Sequence, residues 1–192
     1  MLFFFDLVNK GRYVKRIIHL ATGLADEHKN FHLLLNRIME GDVLFIINPR
    51  SGKQNSEKNI QQIQLWVERE TAINARIWTM TGDHDDEKIA NLLTEGNYQC
   101  VVAGGGDGTL NLVARHLLNS DIRMGILPLG SANSIAQELN IPLDLPNALA
   151  TLKVGTSRTI DVIKINNKHH CLHLSDVGFN AHIIKEFQQS KK

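Results

Sequence analysis

The sequence predicts an α/β fold with three layers, in which a mainly parallel sheet lies between helices. From Asp42 onward, short strand-like runs alternate with helix-like runs, the pattern of repeated βαβ units. Residues 43–47 are apolar without interruption, which is typical of a parallel strand buried on both faces. Three of the predicted strands also run directly into turns that contain glycine.

The remaining elements follow from hydrophobic spacing. Ile60, Ile63 and Val67 recur at helical intervals and would share one buried face. The predicted helices cover residues 56–70 and 85–95 and a segment carrying Leu110 to Leu118, with two short helices after Asn133 and Pro146. The predicted strands after the first cover residues 75–80, 99–103, 124–127, 159–165 and 170–174, the last two joined by a tight turn at 166–168.

The segment before this pattern has a different character. Lys10, Arg12, Lys15 and Arg16 lie beside apolar residues, so we predict that residues 1–41 form a helical N-terminal extension packed on the domain. A basic amphipathic helix lying on a membrane surface is the alternative. Residues 42–192 then form the second unit.

Composition excludes several classes of protein. The 192 residues carry a formal net charge of +1, which argues against a nucleic-acid partner. No apolar run reaches the roughly 18 residues that a membrane-spanning helix needs. The only two cysteines, Cys100 and Cys171, lie in apolar stretches, so we expect buried free thiols in a reducing cytoplasm.

The turn at residues 104–109 carries the strongest chemical signal. Its three consecutive glycines leave room for backbone to approach a bulky group, and their N–H groups with the following helix start form an anion site suited to phosphate. A bare phosphate would repel Asp107, so this carboxylate implies a metal ion or a hydroxyl proton to receive. A bound metal ion and the removal of a hydroxyl proton are both features of phosphoryl transfer. The structural alternative is that Asp107 or Thr109 caps the helix.

The other two turns are weaker signals on their own. Asn48 to Lys53 contains ordinary loop dipeptides and lacks the spacing of a P-loop. Gly130 to Asn133 offers a hydroxyl and an amide that can cap the next helix or hold a phosphate oxygen. Because all three turns end parallel strands, we expect them to meet at the carboxyl edge of the sheet, where ligands bind.

In order along the chain, Asn48-Pro49-x-Ser51-Gly52, Gly105 to Thr109, and Leu129-Gly130-Ser131-x-Asn133 resemble the signatures of the diacylglycerol kinase catalytic family. This family includes bacterial lipid kinases, ceramide kinases and sphingosine kinases. The resemblance covers roughly residues 42–187 and implies the nucleotide-binding N-terminal domain that the family shares with NAD kinases. The nucleotide-binding residues that it implies are Asn48, Ser51, Gly52, Thr79, Gly104, Gly105, Gly106, Asp107, Gly108, Thr109, Gly130, Ser131 and Asn133.

The resemblance also implies an activity. It predicts an ATP- and Mg²⁺-dependent lipid kinase with Asp107 as the catalytic residue, acting either on the metal-phosphate complex or on the acceptor hydroxyl. Diacylglycerol, phosphatidylglycerol and a sphingoid-like lipid are the candidate acceptors. The predicted partners are ATP, the lipid and the peripheral inner face of a membrane, and a homodimer is left open.

Two departures from the family pattern bear on that prediction. Ser134 stands where the family usually has Asp. Family enzymes also continue into a β-rich second domain, which we expect to be absent from these 192 residues. Two alternatives therefore remain, an NAD-kinase-like enzyme and a non-catalytic nucleotide-binding module derived from a lipid kinase.

Overall fold

The computed structural model describes residues 3–8, 41–52, 56–71, 73–154, 156–165 and 169–172. The strands are β1 (Phe3–Val8), β2 (Gly41–Ile47), β3 (Ile73–Thr79), β4 (Cys100–Gly105), β5 (Arg123–Pro128), β6 (Thr156–Asp161), β7 (Ile163–Ile165) and β8 (His169–Cys171). The helices are α1 (Ser56–Arg69), α2 (Asp85–Glu95), α3 (Asp107–Leu117), α4 (Ser134–Glu138) and α5 (Leu145–Val154). The predicted alternation of strands and helices after Asp42 is confirmed.

A six-stranded sheet organises the chain in the order β3-β2-β4-β5-β1-β6. The four strands β3, β2, β4 and β5 are parallel. In their register Ile47 lies beside Thr79 and Gly104, and Gly105 lies beside Pro128. All four carboxyl ends therefore reach the same edge of the sheet, as the sequence predicts.

Helices cover both faces of the sheet and complete three layers. Leu44 and Ile46 of β2 contribute to a core with α2, α3 and α4, whereas Phe45 contributes to a second core with α1 and α5. These strand residues are fully buried, which confirms the prediction for residues 43–47. Burial of each such side chain contributes about 1.5–3 kcal/mol to the folded state. Ile63 is likewise buried at the centre of the apolar face of α1.

Cys100 belongs to the second of these cores. It is a free thiol, and burial raises its pKa to about 12. A thiol of this kind stays protonated at neutral pH, so Cys100 is a packing residue rather than a nucleophile.

The structure differs from the predicted helical extension over residues 3–8, the part of residues 1–40 that it describes. Residues 3–8 form β1, which pairs antiparallel with β5 and parallel with β6. The run Phe-Phe-Phe-Asp-Leu-Val is rich in strand-forming residues, and its backbone pairs with a strand edge that would otherwise be open. The predicted helices in residues 9–40 lie outside the described residues.

The structure also differs from the prediction for the last two strands. Residues 159–165 do not form one strand, because β6 ends at Asp161 within the main sheet and β7 pairs antiparallel with β8. The predicted turn at residues 166–168 lies outside the described residues. Within the ranges that the structure covers, no helix is both long and apolar enough to cross a membrane.

Candidate functional site

Three loops meet at the carboxyl edge of the parallel strands. They are the first loop (residues 48–52), the glycine loop (residues 104–109) and the third loop (residues 129–133). The Asn48 N–H donates to the Gly104 carbonyl at 2.8 Å, and the Leu129 N–H donates to the Gly105 carbonyl at 3.0 Å. The glycine loop therefore lies between the other two and is hydrogen-bonded to each.

Glycine makes this close approach sterically feasible. A Cβ atom at Gly130 would overlap the Cα of Gly106 and would lie 2.8 Å from the Asn133 Oδ1. Gly52 has a φ of 79°, and a Cβ there would lie 2.7 Å from the Leu129 carbonyl oxygen. The obstacles are mostly backbone atoms that cannot rotate away, so these two positions require glycine.

Asn133 fixes the shape of the third loop. Its Oδ1 accepts from the Gly130 N–H and its Nδ2 donates to the Gly130 carbonyl, each at 2.8 Å. Asn133 has a left-handed backbone with φ 51° and is only 6% exposed. The amide predicted to bind nucleotide thus faces its own loop, whereas the predicted ligand Ser131 is exposed.

Asp107 links the glycine loop to α4. Its Oδ1 accepts from the Ile135 N–H at 2.9 Å, and its Oδ2 accepts from the Ser134 N–H at 3.1 Å. The structural alternative to catalysis predicts that Asp107 caps its own helix, but the carboxylate caps the next helix instead. Its catalytic role remains a prediction.

A cleft of about 350 Å³ opens between the first loop and the start of α3. Two of its polar groups are joined, since the Asn48 Nδ2 donates to the Thr109 Oγ1 at 2.9 Å. The Ser51 Oγ accepts from the Gly106 N–H at 3.3 Å. The cleft is lined by Asn48, Ser51, Met80, Gly106, Gly108, Thr109 and Leu112.

Gly108 differs from the other glycines of the site. It is exposed in the first turn of α3, and a Cβ there would meet no atom within 4 Å. Glycine in a helix costs about 0.5–1 kcal/mol relative to alanine, and neighbouring side chains give no packing reason for it. The open space therefore lies directly over a helix start, where N–H groups favour an anion.

The predicted site residues divide by role. Asn48, Ser51, Gly106, Gly108 and Thr109 come together in the cleft. Gly52, Gly130 and Asn133 shape the first and third loops. Gly104 is buried beside Ile47, Asp107 caps α4, and Ser131 is exposed. Thr79 ends β3 and is partly buried, but it does not line the cleft. Gly105 is packed against the Thr109 side chain, where a Cβ would come within 2.5 Å.

Sequence reasoning missed three residues at this edge. Met80 and Leu112 give the cleft an apolar part. Leu112 lies four positions after Gly108 on α3, so helical spacing from the glycine motif could have identified it. The Arg50 guanidinium lies across Gly82, where any Cβ would overlap it. That contact joins the first loop to the turn after β3, which sequence proximity does not reveal.

The turn after β3 is held by a buried carboxylate. Asp85 is 9% exposed and accepts from the Thr81 N–H at 2.9 Å and the Gly82 N–H at 2.7 Å.

Over the described part of the chain, no three His, Cys, Asp or Glu side chains are grouped to hold a metal ion.

The sequence is similar to that of one family of known proteins. The family profile described as Diacylglycerol kinase catalytic domain matches residues 42–165. A probable lipid kinase, YegS-like, of Klebsiella pneumoniae is 34% identical over 152 residues, covering 78% of this chain and 50% of that protein. Its counterpart in Yersinia pestis is 35% identical over 153 residues, covering 74% and 48%. The chain spans about half the length of these relatives.

A solved structure shares the fold. The crystal structure of a diacylglycerol kinase from Bacillus anthracis matches with a TM-score of 0.58 and 24% sequence identity. The match covers 67% of this chain and 45% of that one. The predicted α/β architecture is thereby confirmed at the level of the fold.

Proposed function

The chain belongs to the diacylglycerol kinase catalytic domain family, and from this premise we propose that it binds ATP and forms the phosphate-binding part of a lipid kinase. The reaction would transfer the γ-phosphoryl group of ATP to a lipid hydroxyl, with diacylglycerol, phosphatidylglycerol and sphingoid-like lipids as candidate acceptors. The observation that carries the proposal is the meeting of three glycine-bearing loops beside the open start of α3.

The phosphates would lie over Gly108. The Leu110 N–H bonds back to the Gly106 carbonyl at 3.0 Å, so the N–H groups before it precede the intrahelical ladder of α3. The helix dipole adds partial positive charge at this end. The side chains of Asn48, Ser51 and Thr109 surround the same space and supply polar groups for phosphate oxygens.

The apolar part of the cleft fits the other end of the nucleotide. Met80 and Leu112 offer a surface on which a purine base can pack. The N–H groups of Thr81 and Gly82 already bond to Asp85. We therefore propose that base binding depends mainly on apolar contact and that the phosphates supply most of the polar contacts.

Mg²⁺ is part of the proposal as a companion of the ATP phosphates. Among the described residues no three His, Cys, Asp or Glu side chains are grouped together, and each oxygen of Asp107 accepts one N–H group. These residues do not fit a metal site built by protein alone, which agrees with the preference of Mg²⁺ for phosphate and water ligands.

A lipid substrate also requires contact with a bilayer. We therefore propose that the protein works at a membrane surface, in peripheral contact with it. The match to the diacylglycerol kinase profile supports a lipid kinase over the NAD-kinase-like alternative.

The proposed function is tested first by ATP binding. The purified 192-residue chain is titrated with Mg-ATP by calorimetry. It is then incubated with labelled ATP and either vesicles containing each candidate lipid or NAD. Binding of ATP followed by label in a lipid supports the kinase. Binding without lipid label favours the nucleotide-binding module, label in NAD favours the NAD-kinase-like enzyme, and absence of ATP binding contradicts the proposal.

Replacement of Gly108 by alanine should separate folding from binding. The added methyl enters open space in a helix, so the free energy of unfolding should rise by about 0.5–1 kcal/mol. ATP affinity should fall about tenfold or more, because the methyl lies where the phosphates would lie. Urea unfolding of this variant measures the change in the free energy of unfolding, and calorimetry measures the change in ATP affinity. Unchanged ATP affinity would place the phosphates elsewhere.

A further inference from the structure

We propose that Asp107 is a positioning residue, which holds the third loop against the glycine loop through the N–H groups of Ser134 and Ile135. The role rests on the proposed function, because the third loop matters only if it contributes to nucleotide binding. It differs from the direct catalytic role predicted from the sequence.

The helix α4 lacks a side-chain cap from its own N-cap residue. Asn133 precedes this helix, but its side chain makes no capping bond to α4 and turns back to Gly130. The first N–H groups of a helix need a partner outside the helix. Asp107 supplies it from 27 and 28 residues away in the sequence, with one carboxylate oxygen for each N–H.

The two helices that Asp107 joins differ in length and in burial. The helix α4 has only five residues, too few to be stable on its own. In contrast, α3 has eleven residues and buries Leu110, Val113 and Leu117 in the core. The carboxylate of Asp107 on α3 accepts two charge-assisted hydrogen bonds from the N–H groups of α4, and these bonds fix where α4 begins.

Both ends of the third loop are attached to the glycine loop. At its start the Leu129 N–H donates to the Gly105 carbonyl, and just after its end the Ser134 N–H donates to Asp107. Gly130 packs on Gly106 between these points. The exposed Ser131 is thus held between two anchors, and loss of Asp107 would release one of them.

Asp107 faces α4 rather than the cleft. Gly106, Gly108 and Thr109 line the cleft, but Asp107 between them does not. Each of its oxygens already accepts an N–H of α4.

Hydrogen exchange tests the positioning role without any ligand. In Asp107→Ala, the amides of Ser134 and Ile135 should exchange at least about tenfold faster, whereas the amide of Val113 in α3 should keep its rate. Asp107→Asn keeps one acceptor oxygen and should give an intermediate effect. Unchanged exchange at Ser134 and Ile135 in Asp107→Ala would overturn the proposal.

A double-mutant cycle tests whether the role acts through the loop. ATP affinity is measured for Ser131→Ala, for Asp107→Ala and for the two together. If Asp107 acts by placing Ser131, then Ser131→Ala should weaken binding several-fold alone and cause no further loss in the Asp107→Ala background. Additive losses, or a Ser131→Ala variant that binds normally, would overturn this link. A wild-type chain that does not bind ATP would contradict the proposed function, and hydrogen exchange would still decide the positioning role.

Discussion

Replacement of Gly130 by alanine is expected to abolish measurable ATP binding and to lower the free energy of unfolding by about 1–3 kcal/mol, the usual cost of overpacking. The new methyl would overlap the Cα of Gly106 and lie 3.0 Å from its backbone nitrogen. These are backbone atoms, so the conflict is relieved only if the third loop moves away from the glycine loop. A phosphate site that spans both loops would then lose its shape.

Gly108→Ala is the matched control for this prediction. Both variants add one methyl at the same edge of the sheet, but one enters a backbone contact and the other enters open space. The two should therefore have opposite effects in urea unfolding and the same direction of effect on ATP binding. A Gly130→Ala chain that binds ATP like the wild type would show that the contact between the two loops is dispensable.

The parallel part of the fold could be predicted because its signals are local. An uninterrupted apolar strand at residues 43–47 and a strand ending in the glycines 104–106 indicate burial and a sharp turn without any knowledge of distant contacts. The strand at residues 3–8 could not be placed in this way. Its role depends on the open edge of β5, which lies more than a hundred residues later in the chain.

The candidate site, like the fold, could be predicted only in part. The sequence identified the glycine and polar residues that line the cleft, since the carboxyl ends of parallel strands meet at one edge, but it missed Met80 and Leu112. It did not show where polar side chains point. Asn133 bonds back to Gly130, and Asp107 bonds forward to α4, and neither direction follows from residue type. Asp107 is oriented by a contact between separate loops, which a single sequence does not record, whereas Asn133 turns back within the third loop.

The hydrogen bond between Asn48 and Thr109 should be a second sensitive point of the cleft. Thr109 is 6% exposed, and its Oγ1 accepts from the Asn48 Nδ2 at 2.9 Å across 61 residues of sequence. Valine has nearly the shape of threonine but no hydroxyl. Thr109→Val would leave the Asn48 amide without this acceptor, so we expect the free energy of unfolding to fall by about 1–3 kcal/mol.

The same variant should lower ATP affinity by about tenfold to a hundredfold, because both side chains line the proposed phosphate site and Asn48 would lose the contact that orients it. Thr109→Ser keeps the hydroxyl and is the control, with ATP affinity expected close to that of the wild type. Calorimetry with Mg-ATP on the three proteins separates the hydroxyl from the methyl. If Thr109→Ser weakens binding as much as Thr109→Val, the methyl packing rather than the Asn48 hydrogen bond would be what shapes the cleft.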